Sequence, residues 1–312
     1  MLRIALLLTV TAALPAAAQI KLGIVGTDTS HVVAFSRILH DPKHPDHVPG
    51  AKIVAAFKGG SPDVESSRTR VDNFAKELES KYGVEIVPTI AALCPKVDGF
   101  LLESVDGRAH LPQFREIAKC GKPVFIDKPL ASTLEDAREI ARIGKEKNVP
   151  WFSTSSLRYT DACLNWKSPN NQGVITWGPG PTEEHHYLDL SWYAVHPVEM
   201  LFTLMGRGCE TVVRTMGKDS DETTCRWKDG RIGTVRSLRP YGDYGVVLFR
   251  GKEILQTPPK MKSNYAPMLK DVVTFFQTKT PPVPNEDTLE IFAFMDAAQK
   301  SKEQGGKPVK LR

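Results

Sequence analysis

The sequence has no long apolar run in its body and no cluster of basic residues. Its 312 residues include 41 Lys and Arg against 36 Asp and Glu, which leaves a net charge of +5 spread along the chain. Proteins that bind nucleic acid usually carry a concentrated basic patch, and a membrane-spanning helix needs about 20 consecutive apolar residues. We therefore expect a protein with no nucleic-acid partner and no transmembrane segment.

The chain also lacks internal repeats and low-complexity tracts. Hydrophobic residues make up 41% and charged residues 25% of the sequence, which is the composition of an ordinary globular protein and excludes a disordered chain. At roughly 150 residues per domain, this length predicts about two domains.

Cysteine is scarce, and no CxxC pair occurs. The count is odd and the spacings are wide, so the pattern excludes a zinc ribbon and does not select a disulfide pair. The sequence favours five mostly buried small hydrophobic side chains. These are Cys94, Cys120, Cys163, Cys209 and Cys225.

The N-terminus differs from the rest of the chain. Arg3 precedes the apolar residues 4–14, and Ala16 and Ala18 form an Ala-x-Ala site before Gln19. This layout predicts a secretory signal peptide over residues 1–18 that is cleaved on export, with a periplasmic or secreted product. No twin-arginine pair is present, which favours passage through the general secretion channel in an unfolded state.

Periodicity predicts two kinds of architecture. Residues 19–153 alternate short apolar strands with amphipathic helices, including a helix that begins at a capping box of Ser132 and Glu135. This alternation predicts an α/β domain with a Rossmann-type doubly wound parallel sheet. In residues 154–312, two hairpins over 223–238 and 245–256 predict an α+β domain with a largely antiparallel open sheet.

In a doubly wound sheet, ligands bind where the strands end. The turn after the first strand runs from Gly26 to His31, but a dinucleotide fingerprint would also need glycine at Asp28 and His31. Lys58 follows the second strand, where an acidic residue would bind the ribose. Glu103 follows the fourth strand. From these positions alone, cofactor binding stays open.

Two further groups have the residue types of an acid/base site. Asp127 and Lys128 follow the fifth strand, and a partly buried Lys is a candidate acid/base group, although a solvated turn is the alternative. His196 and Glu199 lie one helical turn apart. The three histidines His40, His44 and His47 have a metal-like spacing, but prolines and aspartates between them favour a polar surface loop.

Four segments in the same order along the chain resemble the Gfo/Idh/MocA family of sugar and inositol oxidoreductases. Residues 121–131 match the family's Gly-Lys-Pro to Lys-Pro-Leu-Ala segment, with Asp127 in place of the usual Glu. His196 matches the active-site histidine at the start of a helix. The four segments cover residues 22–26, 121–131, 155–159 and 193–201.

The resemblance implies NAD or NADP, a carbohydrate-like small-molecule substrate and hydride transfer at a secondary hydroxyl. It also implies that Lys128 binds the reacting hydroxyl, that His196 is its acid/base partner, and that Asp127 lies near the nicotinamide. Substrate-binding positions are Arg158, Tyr193 and His186. Cofactor-binding positions are Gly26, Asp28, Thr29, His31, Lys58, Glu103 and Lys128. We also expect a homo-oligomer assembled through the C-terminal sheet.

The sequence departs from the family pattern at the fingerprint, at Trp192, where the family has a catalytic Asp, and in its predicted export. These departures keep a second hypothesis open, in which Asp28, His31, Glu103 and His196 bind a divalent metal on the same fold. The protein would then be a carbohydrate lyase, isomerase or hydrolase. A third hypothesis is a carbohydrate-binding protein without turnover.

Overall fold

The computed structural model describes residues 19–311, so the predicted signal peptide lies outside the described residues. The first half alternates strands and helices as the periodicity predicts. Its elements are β1 Ile20–Val25, α1 His31–His40, β2 Ala51–Phe57, α2 Glu65–Arg68, α3 Val71–Tyr82, β3 Glu85–Val87, β4 Gly99–Leu102, α4 His110–Ala118, β5 Val124–Asp127, α5 Leu134–Glu146 and β6 Trp151–Thr154.

The first sheet has six parallel strands in the order β3-β2-β1-β4-β5-β6. The order reverses between β1 and β4, which is the switch point where a Rossmann sheet opens a crevice at its carboxyl edge. β4, β5 and β6 are buried along their whole length, because helices cover both faces of a parallel sheet. The predicted Rossmann-type sheet is confirmed.

Local details of the helices differ from the sequence prediction. The N-cap of α5 is Thr133, whose side chain accepts a hydrogen bond from Asp136 N (3.0 Å), rather than Ser132. The Thr and Asp pair makes the same first-turn bond one residue later. The amphipathic period over residues 66–82 predicts one helix, but the structure has two, α2 and α3, separated by Thr69 and Arg70.

The second half forms a seven-stranded mixed sheet in the order β12-β11-β7-β10-β9-β8-β13. Among the described strand pairs of this second sheet, only β7–β10 is parallel. Both predicted hairpins are confirmed as β9–β10 and β11–β12. The elements are α6 Asp161–Asn165, β7 Gly173–Pro179, α7 Asp189–Trp192, α8 Val195–Met205, β8 Cys209–Met216, β9 Ser220–Trp227, β10 Ile232–Leu238, β11 Gly245–Arg250, β12 Glu253–Gln256, α9 Ala266–Thr278, α10 Asn285–Glu303 and β13 Val309–Lys310.

Helix α9 returns to the first sheet and packs on it. Phe275 lies 4.8 Å from Phe152 of β6, ring centroid to ring centroid. Gly99 at the start of β4 has no side chain because Phe276 occupies that space: a Cβ there would lie 2.4 Å from the ring. The aromatic residues of α9 therefore complete the core of the Rossmann sheet. The predicted domain division between residues 153 and 154 stays a prediction.

Four of the five cysteines are paired, which corrects the expectation of five unpaired side chains. Cys94 is bonded to Cys120 and Cys209 to Cys225, while Cys163 is free and buried. The second bond joins the adjacent strands β8 and β9, whose Cα atoms lie 6.0 Å apart at this pair. Pairing of this kind depends on tertiary neighbours, which the spacing along the chain does not reveal.

Within residues 19–311, none of the helices combines the length and the apolar character that a bilayer crossing requires.

Candidate functional site

The turn after β1 brings the ends of β1 and β4 into close approach. Gly26 has φ +90°, and a Cβ on it would lie 2.3 Å from Ser104 Oγ. Only glycine combines this backbone conformation with the absence of a side chain. The close approach leaves the loop 26–31 at the switch-point crevice, where α1 begins with His31.

Asp28 is turned into the protein rather than toward the crevice. Its Oδ2 accepts a hydrogen bond from Ser67 Oγ (2.6 Å) and its Oδ1 accepts one from Val105 N (3.0 Å). Burial raises the pKa of this carboxyl, against the effect of those two bonds. Both oxygens of Asp28 are thus used to connect the β1 turn to α2 and to the loop after β4.

The turn retains donors that fit the pyrophosphate of a dinucleotide. Within the described residues, the main-chain N–H groups of Thr29 and Ser30 donate to no protein acceptor. They precede the first turn of α1, and a helix N-terminus attracts phosphate. Lys58, after β2, pairs its Nζ with Asp72 and keeps 47% of its side chain exposed. Because Asp28 is turned inward, its carboxylate does not place a like charge against a phosphate at this turn.

Three side chains from three strand ends meet in the crevice. His31 Nδ1–H donates to Asp127 Oδ2 at 2.7 Å, and the His31 ring packs against the rings of Phe35 and Tyr265. Glu103 is fully buried, and neither of its carboxylate oxygens has a hydrogen-bond partner in the described part of the chain. We call these three residues, His31, Glu103 and Asp127, the carboxyl-edge cluster. One ligand-type atom from each lies within 4.8 Å of the others.

The two carboxyls of the cluster have opposite pKa shifts. Burial raises the pKa of Glu103 well above its usual value, and the charge of Asp127 adds to this effect. Burial also opposes ionisation of Asp127, but His31 and Lys128 outweigh it and hold the pKa of Asp127 below its usual value. Of the two carboxyls, Asp127 is therefore the one that ionises more readily.

Lys128 and His196 both lie next to the ring of Tyr193 in this crevice. Lys128 Nζ lies 5.9 Å from the centroid of the Tyr193 ring, and that ring lies 5.6 Å from the ring of His196. No carboxylate of residues 19–311 lies within 4.0 Å of Lys128 Nζ. The ammonium group therefore faces the crevice without an ion-pair partner.

His196 is held in one tautomer by Ser155. The two side chains join Nδ1 and Oγ at 2.6 Å, while Ser155 Oγ also accepts from Leu157 N at 3.1 Å. If the Ser155 hydroxyl donates to Nδ1 while its oxygen accepts from Leu157 N, the hydroxyl proton and the Leu157 amide proton are both hydrogen-bonded. In this arrangement Nδ1 is the acceptor, so the ring proton lies on Nε2. Burial, then the charge of Lys128, lowers the pKa of His196 well below its usual value. His196 is thus a neutral ring with an Nε2–H group.

Glu199 accepts three hydrogen bonds from the segment that contains Ser155, the partner of His196. It accepts hydrogen bonds from the Thr154 hydroxyl, from Ser155 N (3.0 Å) and from Arg158 Nε (2.8 Å). Arg158 is buried, and its Nη2 has no partner among the described residues. The predicted substrate-binding Arg158 therefore has one uncommitted donor group. No sequence pattern marks Ser155 as the partner of His196.

His186 lies in a separate hydrogen-bond network. Its Nε2–H donates to Asp106 Oδ1 at 3.0 Å, and its Nδ1 lies 3.3 Å from Ser191 Oγ. Asp106 is also held by Arg108, and the neighbouring Trp192 packs edge-on against His186. The structure thus uses both nitrogens of His186 for internal bonds, and Trp192 packs where the family has a catalytic acid.

Three tyrosines that sequence analysis did not select complete the crevice wall beside Tyr193. Tyr241 lies 5.7 Å from Tyr193, Tyr244 lies 5.7 Å from His196, and Tyr265 lies 5.1 Å from His31, ring centroid to ring centroid. They come from the loops before β11 and α9. No motif marks them, because the tertiary fold alone brings these loops to the crevice.

The three histidines of the histidine-rich loop each hydrogen-bond to a main-chain group of the fold. His40 Nε2 accepts from Ile53 N at 2.9 Å, His44 Nδ1 accepts from Asp46 N at 3.1 Å, and His47 Nδ1–H donates to Ile38 O at 2.9 Å. These bonds tie the end of α1 to β2.

Residues 20–154 match the model of an oxidoreductase family with an NAD-binding Rossmann fold. No curated protein matches the sequence. Among solved structures, a probable dehydrogenase from Thermotoga maritima is similar at 20% identity and a TM-score of 0.72. The match covers 93% of this chain and 98% of that one.

Two inositol dehydrogenases are similar over the same length. The myo-inositol dehydrogenase from Lactobacillus casei, solved with NAD(H) and myo-inositol, has 18% identity and a TM-score of 0.73, covering 95% of this chain and 97% of that one. The myo-inositol 2-dehydrogenase from Lactobacillus plantarum has 14% identity and a TM-score of 0.74, covering 95% and 100%. At these identities the likeness establishes the shared fold.

Proposed function

We propose that this protein, whose residues 20–154 match the oxidoreductase family model, is a Gfo/Idh/MocA-type enzyme that oxidises or reduces a secondary hydroxyl of a sugar-like polyol with NAD or NADP. The observation that carries the proposal is the convergence of Lys128 and His196 on Tyr193 at the carboxyl edge of the sheet. Similarity to inositol dehydrogenases supports a polyol as the substrate class.

The residues at the β1 turn fit a dinucleotide. Thr29 and Ser30 would donate their main-chain N–H groups to the pyrophosphate, while Gly26 keeps the turn free of a side chain. Lys58, which follows β2, would contact the ribose of the dinucleotide. When bound, the nicotinamide supplies the hydride acceptor or donor.

The protein's own part of the reaction is proton transfer and positioning. Lys128 Nζ would hydrogen-bond the reacting oxygen and exchange a proton with it as the hydroxyl becomes a carbonyl. His196 is neutral, so its Nε2–H would donate a hydrogen bond to a substrate oxygen rather than take a proton from it. This assigns proton exchange to Lys128 and orientation to His196, in place of an acid/base role for the histidine.

The test is turnover of a panel of inositols and sugars, followed through the absorbance of the reduced nicotinamide. Lys128→Met should lower kcat at least about 10²-fold, since general acid/base catalysis contributes 10² to 10⁴. Lys119→Met, on the exposed end of α4, is the matched control and should retain the wild-type rate. Equal rates in both variants would remove Lys128 from the mechanism, and no turnover of any polyol with either nucleotide would refute the function.

We also propose that the protein is exported and that residues 1–18 are removed. Two disulfides support this location, because such bonds persist in oxidising compartments and are rare in the cytoplasm. The dinucleotide would then be bound after export, since the chain passes the secretion channel unfolded. N-terminal sequencing of the protein from its native host should begin near Gln19. A protein that retains Met1 in the cytoplasmic fraction would contradict export.

The outer face of the second sheet supports the proposed homo-oligomer. Ile232, Gly173, Phe249 and Ile254 are directly paired across β10, β7, β11 and β12, and so form one row on one face. Exposure of the three large side chains is 37% to 68%. We propose that this row contacts a second copy. Sedimentation equilibrium should give a multiple of the chain mass for the wild type and a lower mass for Ile232→Lys, whereas a monomeric wild type would contradict this contact.

A further inference from the structure

The carboxyl-edge cluster has the residues of a metal site, and we propose that His31, Glu103 and Asp127 bind one divalent transition-metal cation. Glu103 follows β4, Asp127 ends β5, and His31 begins α1 after the turn that follows β1, so neighbouring strands of the sheet bring the three together. Their ligand-type atoms lie within 4.8 Å of one another. This inference goes beyond the proposed redox function and does not depend on nucleotide binding.

Glu103 provides the second observation. It is 0% exposed, and neither carboxylate oxygen has a partner among residues 19–311. Native proteins nearly always pair a buried polar group, because leaving it unpaired costs free energy. Lys128 does not supply the partner, since no ion pair within 4.0 Å joins it to either acid of the cluster. A cation between the three side chains would satisfy both oxygens of Glu103.

The geometry suits first-row transition metals. His31 Nδ1 and Asp127 Oδ2 are 2.7 Å apart, which is close to the roughly 3 Å between adjacent ligands that bond lengths near 2.1 Å imply. A cation bound there would replace the proton that His31 Nδ1 donates to Asp127, because only the deprotonated nitrogen is a metal ligand. Phe35 and Tyr265 fix the imidazole plane. One imidazole with two carboxylates favours Mn²⁺, Fe²⁺ or Zn²⁺ over the oxygen-only preference of Mg²⁺ and Ca²⁺.

The ligand set differs from the one that the sequence suggested. Asp28 bonds instead to Ser67 and Val105, and His196 bonds to Ser155, so Asp127 takes their place. Three protein ligands leave coordination positions open, and Lys128 is near enough for its charge to lower the pKa of both Glu103 and Asp127. A substrate oxygen bound there would be polarised by the cation beside the ammonium group.

The experiment is calorimetric titration of chelator-treated, nucleotide-free mature protein with MnCl2 and ZnCl2, with electron paramagnetic resonance of bound Mn²⁺. We expect one cation per chain. Glu103→Gln should weaken binding at least about tenfold, because even residues that only support metal ligands contribute 10- to 100-fold. Glu116→Gln, an exposed residue of α4, is the matched control and should bind like the wild type.

Folding is checked by thermal unfolding without metal. Glu103→Gln should unfold at or above the wild-type temperature and should lose the rise that Mn²⁺ gives the wild type. If this variant does not fold, His31→Asn, at the partly exposed edge of the cluster, replaces it with the same expected loss. No binding of either metal by the wild type, or equal binding by a folded variant, would overturn the site. Neither measurement contains nucleotide or polyol, so either result leaves the redox test unaffected.

Discussion

Ser155 decides which nitrogen of His196 faces the crevice. Because its hydroxyl donates to Nδ1, the ring proton stays on Nε2. Ser155→Ala removes this donor, and both tautomers then become accessible. One neutral hydrogen bond contributes about 1 kcal/mol, so we expect kcat for the polyol to fall about five- to tenfold.

If Ser155 only supported the structure, its replacement would also change nucleotide binding. The dissociation constant of the nucleotide should stay at the wild-type value in Ser155→Ala, because the β1 turn is untouched. A kcat equal to that of the wild type in a folded variant would show that the tautomer of His196 does not matter for turnover.

From their positions in the fold alone, single residues of the site were predictable where they follow a strand, whereas His196 was indicated by the family resemblance. Asp127 and Lys128 were selected because parallel strands end at one edge, and Glu103 was selected for the same reason. The inward turn of Asp28 was not predictable, because its partners Ser67 and Val105 lie far along the chain. Ser155 and Tyr265 were missed for the same physical reason.

Helix α1 and strand β2 are joined by a pH-sensitive bond. His40 Nε2, at the end of the helix, accepts from Ile53 N, and burial, then Lys52, lowers the pKa of His40 from 6.5 to about 4. Between these values the unfolded chain binds more protons than the folded one. Stability from His40 is therefore fully present above pH 6.5 and is lost as the pH falls toward 4.

We expect the free energy of unfolding to decline less steeply from pH 6.5 to pH 4.5 in His40→Gln than in the wild type. The amide retains an acceptor for Ile53 N and does not titrate, and the other buried histidines are the same in both proteins. Denaturant unfolding at several pH values measures the two slopes. Parallel slopes would show that His40 contributes nothing to the acid sensitivity.

Elements were predictable where the apolar period was regular. The parallel strands of the first sheet and both hairpins of the second follow from it. Strand β7 was missed although it is the third strand of its sheet. Its segment begins with Gly173 and ends with Pro179, and glycine and proline normally indicate a loop. The sheet includes it because β10 and β11 pair with both of its edges.

For the molecule as a whole, the two disulfides could not be predicted from the spacing of the cysteines. Cys209 and Cys225, 16 residues apart, close a loop whose cross-link should stabilise the fold by about 3 kcal/mol. Replacing both with Ala should lower the unfolding free energy by about that amount. Reductant should lower it in the wild type and less in the variant, which retains the Cys94–Cys120 bond.

Alkylation of the unfolded, unreduced protein provides the direct count of thiols. Only Cys163 should be modified before reduction, and all five cysteines after it. Five modified cysteines in protein recovered from its native compartment would contradict both disulfides and the argument for export that depends on them.

Contacts between distant parts of the chain explain why the fold class was predictable while the packing of α9 on the first sheet was not. Periodicity within each half predicts the two sheets. The packing of α9 on the Rossmann sheet depends on Phe275 and Phe276, which reach β6 and β4 from the far end of the chain. An amphipathic pattern shows that a helix has a buried face, but it does not identify the surface that covers that face.

The central claim is that the carboxyl edge of the first sheet holds a nicotinamide dinucleotide beside Lys128. Calorimetric titration of nucleotide-free mature protein with NAD and with NADP tests it most directly. We expect saturable binding of one dinucleotide per chain, because Thr29 and Ser30 offer main-chain amides without a protein acceptor among the described residues and Asp28 is bonded inward to Ser67 and Val105. No binding of either nucleotide to the folded protein, with its disulfides intact, would contradict it.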